Sequence, residues 1–318
     1  MTNKEKYRLL CDSEKNIPVY SQPWWLDAVC GEDKWNVLLI ENNGIIEASM
    51  PVYMPCRKVI TMPPYAQTLG IWFYPDFKDK KPNREQSRKQ QLCKQIIDML
   101  PEHHFFLQNF HHFFTDWLQF YWNGYKQTTR YTYILKNISD TDELKSNFNE
   151  QIKRNIGKAI KHNVIVKRDV AVEDFIAIHE QTFSRQGLKP YASNTLREVV
   201  RVARNRKQGD IWGAFDDNGT LHAAAFIVWT KECAYYIAGG RNNSLEDVGA
   251  ISFVMWEVLQ FVSAFSTSFD FEGSMIEGVE NFFRGFGAVQ TPYFVISKGK
   301  LGIFQRALIK YNNRKKYK

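Results

Sequence analysis

Two carboxylates stand close together in Phe269-Asp270-Phe271-Glu272-Gly273-Ser274, at the end of a short apolar run. If that run is a strand, Asp270 and Glu272 share one face, and burial there raises a carboxyl pKa toward neutrality, where the group can take up and return protons. The same acids could instead cap the following loop or pair with Arg284. Tyr236 and Tyr293 lie in other apolar runs and could donate a hydrogen bond to a substrate; a strand tyrosine equally well packs with its hydroxyl at the rim. Arg154 and Lys158 are one helical turn apart on a basic face and could grip phosphates, or could face water. Tyr65 and Gln67, in Pro63-Pro64-Tyr65-Ala66-Gln67, could line a groove for a sugar or peptide.

The rest of the chain narrows the field. With 318 residues, 44% hydrophobic, 24% charged and 15% aromatic, it is long enough for two domains and too apolar for a disordered chain. The net charge of +8 is local, because Lys298 and everything after it is basic or neutral and the residues before it sum to zero. Such an end could hold RNA phosphates, an anionic membrane surface or only water. Five scattered cysteines without C-x-x-C argue against a disulfide framework and a zinc knuckle. His103-His104 and His111-His112, read as strand neighbours, point to opposite faces, so no metal site is expected. No Walker loop, G-x-G-x-x-G, G-x-S-x-G or H-E-x-x-H occurs. A charged N-terminus and the interruption of 251–265 by Glu257 and Gln260 predict a soluble, cytoplasmic protein.

Positioning elements follow from the periodicity. Residues 209–296 read β-β-β-α-β-α-β: strands at 211–215, 221–229 and 234–238, a helix at 251–262, a strand at 268–272, a helix at 277–284 and a strand at 291–296. The same order recurs earlier, with strands at 35–40 and 45–54, a helix at 84–100, a strand at 105–110, a helix at 113–122 and a strand at 128–135. Asn43-Gly44 and Asn218-Gly219 mark matching turns. Between the copies, Leu144, Phe148, Ile152, Ile156 and Ile160 predict one helix over 144–161, followed by helices at 172–186 and 194–206. The expected domains are 1–138, 139–298 and a basic helix or tail at 299–318.

Arg154-Asn155-Ile156-x-Lys158-Ala159, the segment from Thr182-Phe183 to Gly187, Tyr235-Tyr236-Ile237-Ala238-Gly239-Gly240, Phe269 to Ser274 and Phe282-Phe283-x-x-Phe286-Gly287-Ala288 together resemble the FemAB-like branch of the GNAT acyltransferase superfamily. The likeness covers residues 145–296, and the first 135 through the repeated pattern. It implies an α/β protein of two tandem GNAT-like domains, each a mostly antiparallel mixed sheet splayed at its centre and flanked by helices. It implies transfer of an acyl or aminoacyl group to a primary amine on a cell-envelope precursor, peptide or amino sugar. FemAB-like enzymes that build peptidoglycan cross-bridges use aminoacyl-tRNA, and other GNAT members use acyl-CoA.

Within that resemblance Glu272 is the base that frees the amine, with Asp270 and Tyr236 beside it, and main-chain N–H groups around Ala238 to Gly240 hold the oxyanion. Gly239, Gly240, Arg241, Gly249 and Ala250 would hold the donor; Arg154, Lys158, Tyr65, Gln67, Arg284 and Tyr293 would contact substrate. CoA-dependent members open the central helix with Gln/Arg-x-x-Gly-x-Gly/Ala. Here Glu246-Asp247-Val248-Gly249-Ala250-Ile251 puts acids where a pyrophosphate would lie, although Gly249-Ala250 still permits close approach and Arg241 could supply a cation. The donor therefore stays open between acyl-CoA and aminoacyl-tRNA, with the loop favouring tRNA. No DNA partner is expected, tRNA is a possible one, and membrane contact is at most peripheral, through the tail. The rival reading is a non-catalytic RNA-binding or scaffold protein that keeps the fold.

Overall fold

The computed structural model describes residues 1–75, 81–185, 192–273 and 275–302, and of residues 183–185 the backbone alone. Gly187, Ser274 and the expected basic helix or tail beyond residue 302 lie outside the described residues. The chain forms two units, Met1–Arg130 with Pro292–Lys318, and Tyr131–Thr291.

The first unit opens with α1 (Asn3–Ser13) and α2 (Pro23–Cys30) and continues through β1 (Trp35–Asn42), β2 (Ile45–Cys56), β3 (Val59–Thr61), β4 (Trp72–Phe73), α3 (Pro82–Asp98), β5 (Phe105–Asn109), α4 (Leu118–Trp122) and the start of β6 (Lys126–Lys136). The second contains α5 (Thr141–Ser146), α6 (Glu150–Lys161), β7 (Ile165–Arg168), α7 (Val172–Arg185), α8 (Ser193–Asn205), β8 (Gly209–Phe215), β9 (Leu221–Trp229), β10 (Ala234–Arg241), α9 (Ala250–Val262), β11 (Ser268–Asp270), α10 (Glu277–Arg284) and the start of β12 (Val289–Gly299).

Turn chemistry sets the hairpins. Asn43 and Gly44 both adopt positive φ, 50° and 80°, as a two-residue turn between right-twisted strands requires, and β1 folds back on β2. Asp216 closes the matching turn between β8 and β9 by accepting the N–H groups of Asn218 and Thr220 at 3.0 and 2.8 Å. The expected meander of β8, β9 and β10 is antiparallel throughout.

One expectation of the repeat is corrected. The strands at 128–135 and 291–296 were each expected to complete their own copy, yet β12 pairs with β5 through Val295–Gly299 in the first unit, while β6 pairs with β11 through Ile134–Lys136 in the second. The last strand of each unit is thus the one that the sequence order assigns to the other copy. The units accordingly divide inside β6 and β12.

In the second unit the strand order is β6-β11-β10-β9-β8-β7, with the β10–β11 pair parallel. Val254, Met255, Val258, Leu259 and Val262 of α9 are fully buried in its core, joined by Ile152 and Ile156 of α6. Each such aliphatic side chain contributes about 1.5–3 kcal/mol by leaving water. The single helix expected at 144–161 is two, because Asn149 turns extended and caps α6 by accepting the Ile152 N–H at 2.9 Å. Among the described residues no helix is long and apolar enough to cross a membrane, and no group of three or more His, Cys, Asp or Glu could hold a metal. His111 and His112 lie outside any strand with ring centroids 4.1 Å apart, not on opposite faces.

Candidate active site

The central strands of the second unit part. β10 and β11 pair only as Ala234↔Phe269 and Tyr235↔Asp270, and β10 then runs on to Arg241 without a further ladder partner on that side among the described residues. On its other side the pairing with β9 slips between Tyr236 and Ala238, a bulge at Ile237. A cleft of about 750 Å³ opens where the strands separate, a size that suits a small-molecule or carrier-arm site. It is walled by Tyr236 to Arg241 of β10, by His179 and Thr182 of α7, by Gly249 and Ser252 at the start of α9, by Phe271 to Gly273 after β11 and by the apolar side of α10.

Glu272 lines this cleft, and its backbone explains how. β11 ends at Asp270, two residues earlier than expected, and Glu272 adopts φ 56°, a conformation uncommon for a residue with a β-carbon. Asp270 holds that turn: its carboxylate accepts the Glu272 N–H at 2.8 Å and the Thr132 hydroxyl from β6. Gly273 completes the turn, because a β-carbon there would run into the Tyr131 carbonyl oxygen. Strand alternation, which would have put both acids on one face, is therefore broken. Asp270 is buried behind the cleft, and Glu272 faces it. Burial pushes the Glu272 carboxyl well above the usual range; burial likewise lifts Asp270 to about 6, against the two hydrogen bonds that lower it.

That elevation has a testable sign. The folded Asp270 holds its proton more tightly than the unfolded chain does. Its contribution to stability is thus fully present below about pH 4 and is lost as pH rises through about 6, a loss on the order of 3 kcal/mol. In urea titrations across that window, wild-type stability should fall relative to Asp270→Asn; two parallel curves would show that Asp270 does not carry this cost.

Of the other expected donor residues, Gly239, Gly240, Arg241 and Gly249 line the cleft, and Ala250 is buried beside it. A β-carbon at Gly240 would overlap the Thr182 hydroxyl, and Thr182 donates to the Gly239 carbonyl at 3.4 Å, so Gly240 lets α7 lie against β10, whereas a β-carbon at Gly239 would meet the Tyr236 hydroxyl and the Ala224 carbonyl oxygen. At the start of α9 the Asp247 carboxylate accepts the Gly249 N–H at 3.0 Å, and Arg241 stands 3.7 Å from the same carboxylate. The helix N-terminus that could cradle an anion already faces a protein acid.

The expected substrate contacts sit elsewhere. Lys158 donates to the Asp247 carbonyl at 2.6 Å and pairs with Glu246 at 3.2 Å, and Arg154 donates to Gln151. Arg284 pairs with Glu280 at 2.9 Å and not with either cleft acid. Tyr65, Gln67 and Tyr293 belong to the first unit, where Tyr293 is buried and the carbonyls of Tyr65 and Gln67 accept from Trp25 and Asn109.

Asn155 and His179 also line the cleft, though neither was among the expected site residues. Asn155 of α6 donates to Ser252 at 3.3 Å and sets its carbonyl oxygen against Gly249. His179 stacks on Phe175, ring centroids 5.8 Å apart, and burial lowers its pKa to about 4 in spite of the Gly239 backbone, so its imidazole is neutral at physiological pH. Phe175, His179 and Thr182 recur at i, i+4 and i+7, and polar side chains on an otherwise apolar helical stripe were the signal available.

Residues 146–284 match the family model of the acetyltransferase (GNAT) domain. No curated protein matches the chain at a significant level. Among solved structures it is similar to FemX, with a TM-score of 0.68 and 12% identity over 92% of this chain and 96% of that one. L-PGS from Bacillus licheniformis has a TM-score of 0.55 and 10% identity, covering 97% and 96%. A tandem GNAT protein from the clavulanic acid biosynthesis pathway has a TM-score of 0.51 and 8% identity, covering 93% and 94%. At these identities the likeness establishes the fold: a mixed α/β tandem-GNAT architecture.

Proposed function

We propose, from the premise that residues 146–284 are a GNAT domain in a chain with the tandem-GNAT fold, that the protein is an N-acyltransferase acting on a primary amine of a cell-envelope precursor. The observation that carries this reading is the parting of β10 and β11 beside Glu272, which leaves main-chain groups of β10 and a carboxyl of raised pKa around one cleft. The amine nitrogen attacks the donor's carbonyl carbon, main-chain N–H groups near Ala238–Gly240 receive the developing oxyanion, and Glu272 takes the amine's proton. Collapse breaks the bond to the carrier, whose departing sulfur (CoA) or ribose oxygen (tRNA) takes that proton back from Glu272, and leaves an amide. Tyr236, at the cleft wall, is a candidate hydrogen-bond donor to either partner.

For the donor, the Asp247 carboxylate at the head of α9 and Glu246 next to it disfavour a pyrophosphate, which supports aminoacyl-tRNA over acyl-CoA. Arg154, exposed on α6, is a candidate contact for the phosphates of an acceptor arm. The cell-envelope acceptor rests on the FemAB-like resemblance, and the cytoplasmic setting on the five scattered cysteines without a disulfide pattern. The test is a transfer assay with the full chain, comparing labelled aminoacyl-tRNA with labelled acyl-CoA and a precursor that bears a free lysyl or amino-sugar amine. Amide formation from aminoacyl-tRNA is the expected result. Transfer from acyl-CoA alone reverses the donor assignment, and tRNA binding without consumption of either donor replaces the enzyme by an RNA-binding scaffold.

A further inference from the structure

In the first unit, one face of α4 is exposed and strongly apolar. Phe120 points inward and is fully buried against Phe106, Phe110 and Tyr125, whereas Tyr121 and Trp122 are 58% and 60% exposed and Leu118 is exposed as well. Trp117, the residue before the helix, packs edge-on against Tyr121 with ring centroids 5.5 Å apart. Positions 117, 118, 121 and 122 fall on one side of a helix, so these side chains form a continuous strip. Single exposed rings are ordinary, but a strip of this kind marks an interaction surface.

The charges that follow it in sequence have one sign. Between Trp117 and Ser139 the chain contains no Asp or Glu, and after Glu280 it contains none either. These two acid-free segments meet at the end of α4: the Lys298 ammonium donates to the Asn123 carbonyl at 2.8 Å and lies 4.8 Å over the Tyr125 ring. Lys126 and Arg130 are exposed on the strand that follows α4. The nearest acid in sequence, Asp116, turns toward α3, where it accepts from Gln90 at 2.8 Å and also caps the Leu118 N–H.

We propose that the outer face of α4, with the exposed Lys126, Arg130 and Lys298 around it, docks the protein on an anionic phospholipid surface. Tryptophan and tyrosine combine an apolar ring with a polar edge and sit well at headgroup depth, while surrounding lysines and arginines are drawn to the negative leaflet within a Debye length. A single-stranded nucleic acid instead needs ring faces laid open in a groove that follows its backbone. Here the Trp117–Tyr121 pair is edge-on and the surface is the outside of a helix that also presents Leu118. This surface does not depend on the transfer reaction, and its test uses no donor or acceptor.

The test is co-sedimentation of the full chain with vesicles of phosphatidylcholine alone, or with about a third phosphatidylglycerol, for the wild type and for the double variant Tyr121→Ser/Trp122→Ser. Both side chains are solvent-exposed, so the variant should keep the wild-type thermal unfolding curve. The wild type should bind the anionic vesicles, more weakly as salt rises, and the variant's partition coefficient should fall about tenfold or more. Failure of the wild type to sediment with anionic vesicles, or equal partitioning of the two proteins, overturns the proposal. So does a wild-type chain that ignores vesicles and instead loses single-stranded RNA binding, or self-association, when Tyr121 and Trp122 are replaced.

Discussion

Glu272→Gln should lower the rate of acyl transfer by roughly two to four orders of magnitude and leave the fold intact. Glutamine has the same shape, and the main-chain N–H that Asp270 holds is retained, so the turn at φ 56° persists. Stability at neutral pH should stay level or rise, because burial opposes ionisation of Glu272 and the amide carries no charge to bury. The pH dependence provides the sharper readout. A base works only when ionised, so wild-type kcat/KM should fall on the acid side through the pKa of Glu272, which lies well above the ordinary value of 4.5. The residual rate of the variant should lack that limb. Undiminished turnover in the variant, or a wild-type limb near 4, would move the base to His179, the other titratable side chain at this cleft with a displaced pKa, lowered there to about 4. Steady-state kinetics on both proteins across the acid range distinguishes the two.

What the sequence disclosed of this site depended on how local the cause was. The hairpins at Asn43-Gly44 and Asn218-Gly219 are written in the turn residues themselves, and the second-unit meander followed from them. The capping box of α1, Thr2 with Glu5, is equally local and was legible, yet α1 went unassigned because its charged face masked a weak apolar stripe. β3, β4 and β7 span two to four residues, too short for a period to emerge. The end of β11 was not legible at all: its early stop depends on Asp270 meeting Thr132, 138 positions away, and on a left-handed glutamate that no local rule favours. The exchange of β6 and β12 is of the same kind, since either strand carries the right alternation for either sheet and only long-range pairing selects one. Glu272, expected at a strand end, lines the cleft, although the geometry that aims it differs from the alternation that suggested it.

Gly249→Ala should destabilise the protein by about 3 kcal/mol or more, lowering Tm by about 10 °C. Two independent costs meet at this residue. Its φ is 79°, a region that an L-residue enters only with strain, and a β-carbon would lie far inside contact distance of the Asn155 carbonyl oxygen on α6. That oxygen is main chain, so no rotamer change relieves the overlap and α6 would have to retreat from α9, disturbing a core in which both helices bury their apolar sides. The contrast with a phosphate-cradling glycine is direct. A glycine kept small for a ligand tolerates alanine in the free protein and loses donor affinity, whereas a glycine kept small for its own fold loses stability with no donor present. Gly157, within α6 and with open space around its α-carbon, supplies the control: Gly157→Ala should be neutral or stabilise by up to about 1 kcal/mol through helix propensity. Thermal unfolding of both variants without ligand decides the matter. If Gly249→Ala melts with the wild type, the residue is free to serve a donor phosphate, and the case for aminoacyl-tRNA over acyl-CoA loses its structural support.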